Sequence, residues 1–207
     1  MLGGMRLTGP RYTSVAPFYD LVSAEWPVYR RGRRAAFDLL ALRPGERVLD
    51  VGCGTGLDLP LVRAAGATFV GVDASPQMLG AARRRARGWP GATFLVADAA
   101  SPEVSELPGG VDVVVATYAL SIMSAWPAAV DRAVALARPG ARIAVVDMQP
   151  AVSGPSPLRR LADLAMRSGG VDPAARPWTV VEQRCTDVRA ASFWGGHVQV
   201  RVGTLPS

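Results

Sequence analysis

Nine residues constrain this chain more than any others: Val48-Leu49-Asp50-Val51-Gly52-Cys53-Gly54-Thr55-Gly56. An apolar run that ends in alternating glycines predicts a short buried strand, a sharp turn and the start of a helix. With no side chain at three positions, the backbone there can approach a ligand closely. Loops of this kind cradle nucleotides of several sorts, so the loop alone leaves the ligand open. Its neighbours narrow the choice.

From that loop onward, strand and helix patterns alternate. Strands are expected at 47–51, 68–72, 93–97, 111–117 and 142–147, with helices at 55–65, 75–87 and 125–138 between them. The strands are nearly continuous apolar runs, such as Val113-Val114-Val115-Ala116 and Ile143-Ala144-Val145-Val146. Such runs suit a parallel sheet covered by helices on both faces. Upstream, short helices are expected at 15–24 and 27–42. In the second, Ala35, Ala36, Leu39, Leu40 and Leu42 form the apolar face, and Arg30, Arg31, Arg33 and Arg34 lie largely outside it. After Pro150 a loop rich in Pro, Ser and Gly leads to a helix near 157–168. Two strand-like runs follow, 178–185 and 197–203. No crossover helix fits between them, so an antiparallel hairpin at a sheet edge is expected.

The chain has 207 residues, 49% hydrophobic and 19% charged, which suits one globular domain with a sizeable core. Within it, 11–42 form an N-terminal helical lid, 43–149 a ligand-binding core, and 150–207 a C-terminal helix and hairpin. No apolar run reaches the ~20 residues of a membrane span, and Met1–Val15 lacks the apolar stretch of a signal peptide. Cys53 and Cys185 make neither a disulfide framework nor a metal spacing, so no metal is expected. A reduced, cytoplasmic enzyme is the expectation. The net charge is +6, yet all 23 basic residues are arginines. That uniformity speaks of coding bias as much as of a binding surface. The Arg83-Arg84-Arg85 cluster falls at a helix end, where cations suit the dipole.

Ligands of open α/β sheets sit at the carboxyl ends of the strands. There the sequence places Asp50 with Gly52, Gly54 and Gly56, then Asp73, Asp98, Thr117-Tyr118 and Asp147. An acid at position 73 can accept both hydroxyls of a ribose, which favours an adenosine ligand. Asp98 could accept a hydrogen bond from an exocyclic amine. A dinucleotide is disfavoured, because the fingerprint glycine is replaced by Leu57 or Leu59. Asp50 and Asp58 flank the loop and would repel a pyrophosphate. The Gly-Lys-Ser/Thr ending of a phosphate loop is absent as well. A positively charged adenosine ligand without phosphate suits the loop, and S-adenosylmethionine is that ligand.

At this point the chain resembles the class I S-adenosylmethionine-dependent methyltransferases. Four motifs carry the likeness: Val48–Gly56, Val70-Gly-Val-Asp-Ala-Ser-Pro-Gln-Met-Leu79, Phe94-Leu-Val-Ala-Asp-Ala99, and Leu136–Asp147. The likeness covers roughly residues 11–149. It implies a Rossmann-like, doubly wound α/β sheet of seven strands, six parallel and the last antiparallel. It further implies that Gly52, Gly54 and Gly56 approach the methionyl part and that Asp50 lies near its ammonium. Asp73 would hold the ribose, Gln77 and Met78 would flank the adenine, and Asp98 would meet its amine. Cys53, Ala74, Ala99 and Thr117 join this cofactor set. Arg11–Asp20 is similar to the lid of small-molecule and quinone methyltransferases, which nominates Tyr12 or Tyr19 to reach the cofactor. Thr117–Trp126 and Phe193–Gly203 are similar to small bacterial lipid-amine N-methyltransferases, although the linker 151–177 is shorter than theirs.

The reaction so implied moves a methyl group to nitrogen or oxygen of a small molecule or lipid head group, leaving S-adenosylhomocysteine. The donor is already activated, so positioning and desolvation carry much of the work. Candidates for the chemistry are Tyr118 as a pocket wall or core residue, and Asp147 orienting an amine or capping a loop. His197 is the sole histidine, at a strand start beside Gly195-Gly196. Its plainer reading is a packed strand-start residue. A second reading keeps the cofactor but transfers its aminocarboxypropyl group or cyclises it, releasing methylthioadenosine. A third, an RNA-modifying or RNA-binding protein, is disfavoured by the missing Asn-Pro-Pro-Tyr or Asp-Pro-Pro-Tyr motif after strand four. A homodimer is compatible with the sequence.

Overall fold

The apolar runs pair into a seven-stranded sheet in the order β3-β2-β1-β4-β5-β7-β6. This is a computed structural model that describes residues 29–154, 160, 166 and 170–207. The strands are β1 (Arg47–Val51), β2 (Thr68–Asp73), β3 (Ala92–Val96), β4 (Val111–Thr117), β5 (Ala137–Met148), β6 (Thr186–Phe193) and β7 (Val198–Thr204). The helices are α1 (Arg30–Leu40), α2 (Leu59–Ala64), α3 (Pro76–Arg85), α4 (Trp126–Leu136) and α5 (Thr179–Arg184). β1 to β5 are mutually parallel, and β7 runs antiparallel to both β5 and β6. Six strands therefore point one way and β7 the other, as the sequence led us to expect.

Successive residues of the central strands serve opposite faces. Val48, Val113, Val146 and Val200 pack with Leu40, Phe69 and Leu79 on one side. Leu49, Val114, Val145 and Ile143 pack with Ala133, Val181 and Trp178 on the other. Both faces are covered, which is why the runs carry no polar alternation. The strand order reverses at β1 and β4, so their carboxyl ends open a crevice. No helix among the described residues is long and apolar enough to cross a membrane.

Three expectations need correction. The run 178–185 is not a strand: Thr179–Arg184 is helical, and Cys185 N–H bonds the Val181 carbonyl at 3.1 Å. Trp178, Val180 and Val181 are all buried, a helical rather than an alternating pattern. The hairpin's first strand is instead Thr186–Phe193, an edge strand exposed along most of its length. Second, α2 starts at Leu59 rather than at 55, because Gly56 at φ +78° keeps the loop unwound. Third, Arg33 is not on the outer face of α1 but is 7% exposed and turned toward the sheet. The expected helix 15–24 lies outside the described residues. So does that near 157–168, save for Arg160 and Met166, which are helical.

α1 lies across β5, β7 and β6. Contact is close at Gly32, where an added Cβ would stand 2.3 Å from the Tyr118 hydroxyl and 2.6 Å from a Val198 methyl. In an exposed helix, alanine for glycine adds ~1 kcal/mol of stability through propensity. Overlap at this site costs ~1–3 kcal/mol and outweighs that gain. Gly32→Ala is therefore expected to lower the urea midpoint; an unchanged or raised midpoint would mean that α1 does not seat as described.

Candidate active site

The glycine loop is sewn to β2 by backbone and side chain. Gly52 and Cys53 N–H groups bond the Val72 carbonyl at 2.8 and 3.0 Å. Asp73, at the end of β2, accepts from Gly54 N–H at 2.9 Å and from Ser75 N–H at 2.8 Å. Burial raises the Asp73 pKa, and those two amides counter it. Ser75 then caps α3, its hydroxyl accepting from Met78 N–H at 3.3 Å. Two glycines show what the loop is for. A Cβ on Gly52 would stand 2.6 Å from the Ala119 Cβ, so this glycine makes room for the protein itself. A Cβ on Gly54 would meet nothing among the described residues within 4 Å, although φ there is +53°. Gly54 therefore presents bare backbone to open space beside the Asp73 carboxylate.

Beneath this loop lies a buried ionic cluster. Asp50 is 1% exposed, and its Oδ1 has no hydrogen-bond partner among the described residues. Burial and the neighbouring Asp58 hold its pKa well above the ordinary carboxylate value, with Arg33 pulling the other way. Asp58 is wholly buried and ion-paired to Arg33 of α1. Thr117 closes the ring: its hydroxyl accepts from Arg33 Nη1 at 2.6 Å and donates to Asp58 Oδ2 at 2.9 Å. Arg33 also lies over the Tyr118 ring, 5.7 Å from its centroid.

Other nominated residues land in varied places. Asp98 is exposed just past β3, its carboxylate accepting from Ala100 N–H at 2.9 Å, and Ala99 is buried. Gln77 and Ala74 are exposed near the mouth, while Met78 is buried in α3. Cys53 turns its thiol into the core beside Gly71, and burial there pushes its pKa up. Only its backbone faces the loop. Tyr12 and Tyr19 lie outside the described residues.

On the far side of the crevice, Tyr118 adopts φ +57° directly after β4. Its hydroxyl donates to the Tyr29 carbonyl at 2.8 Å, and the two rings pack 4.7 Å apart. Asp147 is not at the mouth: it is fully buried, and its carboxylate accepts from Ser121 N–H, the Ser121 hydroxyl and Met148 N–H at 2.9, 2.5 and 2.9 Å. Of its two readings, the geometry supports the loop cap. His197 is buried as well. Its Nδ1–H donates to the Gln149 carbonyl at 2.6 Å, and Gln149 N–H returns a bond of 2.9 Å to the His197 carbonyl. That exchange ties the start of β7 to the end of β5.

Comparison with known proteins adds the family. A family described as methyltransferase domain matches residues 49–143. Nocamycin O-methyltransferase of Saccharothrix syringae is 32% identical over 191 residues, 90% of this chain and 64% of that protein. A demethylmenaquinone methyltransferase of Thermus thermophilus is 34% identical over 150 residues, 69% of this chain and 66% of that protein. The chain thus spans a little under two thirds of each relative. Among solved structures, the N-methyltransferase NodS of Bradyrhizobium japonicum, bound to S-adenosylhomocysteine, shares the fold. Its TM-score is 0.70 at 16% identity, over 96% of this chain and 100% of that one. The chain belongs to the class I S-adenosylmethionine-dependent methyltransferases.

The residues of the crevice fit S-adenosylmethionine. Asp50 offers a buried oxygen that lacks a donor, Gly54 an open backbone, and Asp73 a carboxylate beside it. Two members of the site escaped sequence reading. Asp58 was seen only as a charge that repels phosphate, and Arg33 was placed outside. The signal was present in the spacing: Arg33, Ala36, Phe37 and Leu40 form one buried stripe of α1.

Two substitutions follow from this geometry. Gly54→Ala costs ~1–2 kcal/mol of left-handed backbone strain but creates no collision in the protein. Calorimetric affinity for S-adenosylhomocysteine should fall ~10-fold or more while the chain stays folded. Retained affinity would place the cofactor elsewhere. Ser121→Ala tests the clamp on Asp147, whose carboxyl burial lifts to about 6 against the Ser121 and Met148 donors. A raised carboxyl stabilises the fold in acid and loses that contribution as pH rises through about 6. Deleting a donor to the ionised form should cost ~1–3 kcal/mol at pH 8 and less at pH 5. Urea titrations at the two values check the difference.

Proposed function

We propose that this chain transfers the methyl group of S-adenosylmethionine to oxygen or nitrogen of a small ring-bearing molecule. One observation carries the cofactor half of that reading: the strand that feeds the glycine loop brings a donor-less Asp50 oxygen, and the loop's open Gly54 backbone is bonded to the Asp73 carboxylate. The acceptor half draws on the two relatives, one named for demethylmenaquinone and one for O-methylation of nocamycin. An aromatic cluster behind the acceptor side agrees with it. Tyr29, Tyr118 and His197 stand together there, the Tyr29 and His197 rings 6.1 Å apart.

When bound, the cofactor supplies a methyl group on a positively charged sulfur, already activated for in-line displacement. The protein's part is then to orient and to exclude water. Gly52, Gly54 and Gly56 shape the backbone against the methionyl part, Asp50 takes the ammonium, and Asp73 takes the ribose hydroxyls. On the acceptor side, Tyr118 holds the Tyr29 carbonyl and His197 holds that of Gln149. Both side chains therefore fix the wall of the chamber, and Asp147 anchors Ser121 behind it. An acceptor that ionises readily, such as a phenol or quinol, needs little help from a base.

The test is incubation with methyl-labelled S-adenosylmethionine and a panel of quinols, phenols, amines and phosphatidylethanolamine. Label in a phenol, quinol or amine and release of S-adenosylhomocysteine are expected. Methylthioadenosine as the product would replace methyl transfer by aminocarboxypropyl chemistry, and label confined to the lipid would move the acceptor class. Asp73→Ala should raise the KM for the cofactor ~10-fold or more, since hydrogen bonds to a charged group are worth ~1.5–3 kcal/mol. An unchanged KM would remove Asp73 from the cofactor site.

A further inference from the structure

Two buried carboxylates face one guanidinium below the glycine loop. Asp58 has both oxygens engaged, one by Arg33 and the other by the Thr117 hydroxyl. Asp50 stands beside it with Oδ1 lacking any donor among the described residues. Among the described residues, the charged or titratable groups that face Asp50 are Asp58 from the loop before α2, Arg33 from α1, Asp73 from the end of β2 and the Cys53 thiol of the glycine loop. Arg33 is the sole cation in that set, and it is already paired to Asp58. Beside an ion-paired acid, out of water and with no second positive charge among the described residues, the neutral form of the Asp50 carboxyl is favoured.

We propose that Asp50 holds a proton in the cofactor-free protein, kept there by the buried Asp58 carboxylate beside it, and that the cofactor's α-ammonium takes that proton's place. Binding then breaks the carboxyl O–H bond of Asp50, forms an N–H···O bond to its donor-less Oδ1, and delivers one proton to solvent. The cation count of the cluster is unchanged, so the low-dielectric site never carries two uncompensated acids. This inference rests on the cofactor reading above and adds Arg33 and Asp58 to it as positioning residues. Arg33 limits how tightly the proton is held, because its charge favours ionisation of Asp50, and Asp58 has the opposite effect. The raised pKa of Asp50 agrees in direction.

The experiment is isothermal titration of the full chain with S-adenosylhomocysteine in paired buffers, acetate against MES in the acid part of the range and phosphate against imidazole above it. These buffers differ in ionisation heat, so the difference in signal counts protons. Measurements run from pH 5 to 7.5, below the range where the ligand's own amine titrates, near 7.7–8.0. Release of about one proton is expected in the acid part of the range, with the Kd improving ~10-fold per pH unit there and levelling off above. Asp58→Asn should abolish the release and flatten the Kd in acid, since Arg33 then stands over one carboxylate. Arg33→Gln should extend the pH-dependent range upward. A purely structural role would not move the two variants in opposite directions. Identical heats in both buffers of each pair with a flat wild-type Kd would overturn the proposal without recourse to any variant. Failure of the wild type to bind at every pH would instead overturn the cofactor reading.

Discussion

A single ion pair, Arg33 with Asp58, ties together three parts of this molecule that the chain keeps far apart. Arg33 comes from the first described helix, Asp58 from the glycine loop's exit, and Thr117 from the last residue of the central strand β4. Removing one partner of a buried pair typically costs ~3–5 kcal/mol, because the other is left charged and unsolvated. The placement of α1 over the crevice, the start of α2 and the end of β4 all rest on this bond. Asp50 depends on it too, since the guanidinium offsets part of what burial and Asp58 impose.

Four aspartates occupy equivalent addresses at strand ends, and their surroundings give them four different chemistries. Asp50 is buried beside another acid and lacks a donor at one oxygen. Asp73 is partly buried and spends its oxygens on the amides of Gly54 and Ser75. Asp98 is exposed and bends its own turn by accepting from Ala100. Asp147 is fully buried, saturated by three donors, and serves the chain rather than a ligand. Position in the fold makes a carboxylate eligible for a role. Burial and donors decide which role it takes.

Much of this architecture was legible because β1 to β5 are buried on both faces, so each is written as an apolar run with turn residues at its ends. The glycine loop and Asp73 were legible for a local reason: the strained backbone and its acid fall within one βαβ unit. What escaped depends on long-range contacts. Trp178–Arg184 is apolar enough for a strand, and only its docking against β5 and β7 makes it a helix. The true edge strand, Thr186–Phe193, is exposed and polar, so it carries little apolar signal. Arg33 looked like one of four solvated arginines. Its partner sits 25 residues downstream, where only the folded sheet brings it close. Asp147 looked like a rim residue because the turn that buries it, Leu120–Ile122, belongs to a different strand's connection.

The insertion of β7 between β5 and β6 has a consequence for how the chain matures. α1, near the amino end, seats chiefly on β5, β7 and β6, and Gly32 touches Val198 directly. The ribosome delivers β7 after the other six strands of this sheet, so α1 has no finished floor until Val198–Thr204 has emerged. Strands β1 to β4 assemble from neighbouring units, but the seal over the crevice is a contact of long sequence separation and closes late. A nascent chain halted short of β7 therefore carries a formed glycine loop while the seat of α1 is still incomplete.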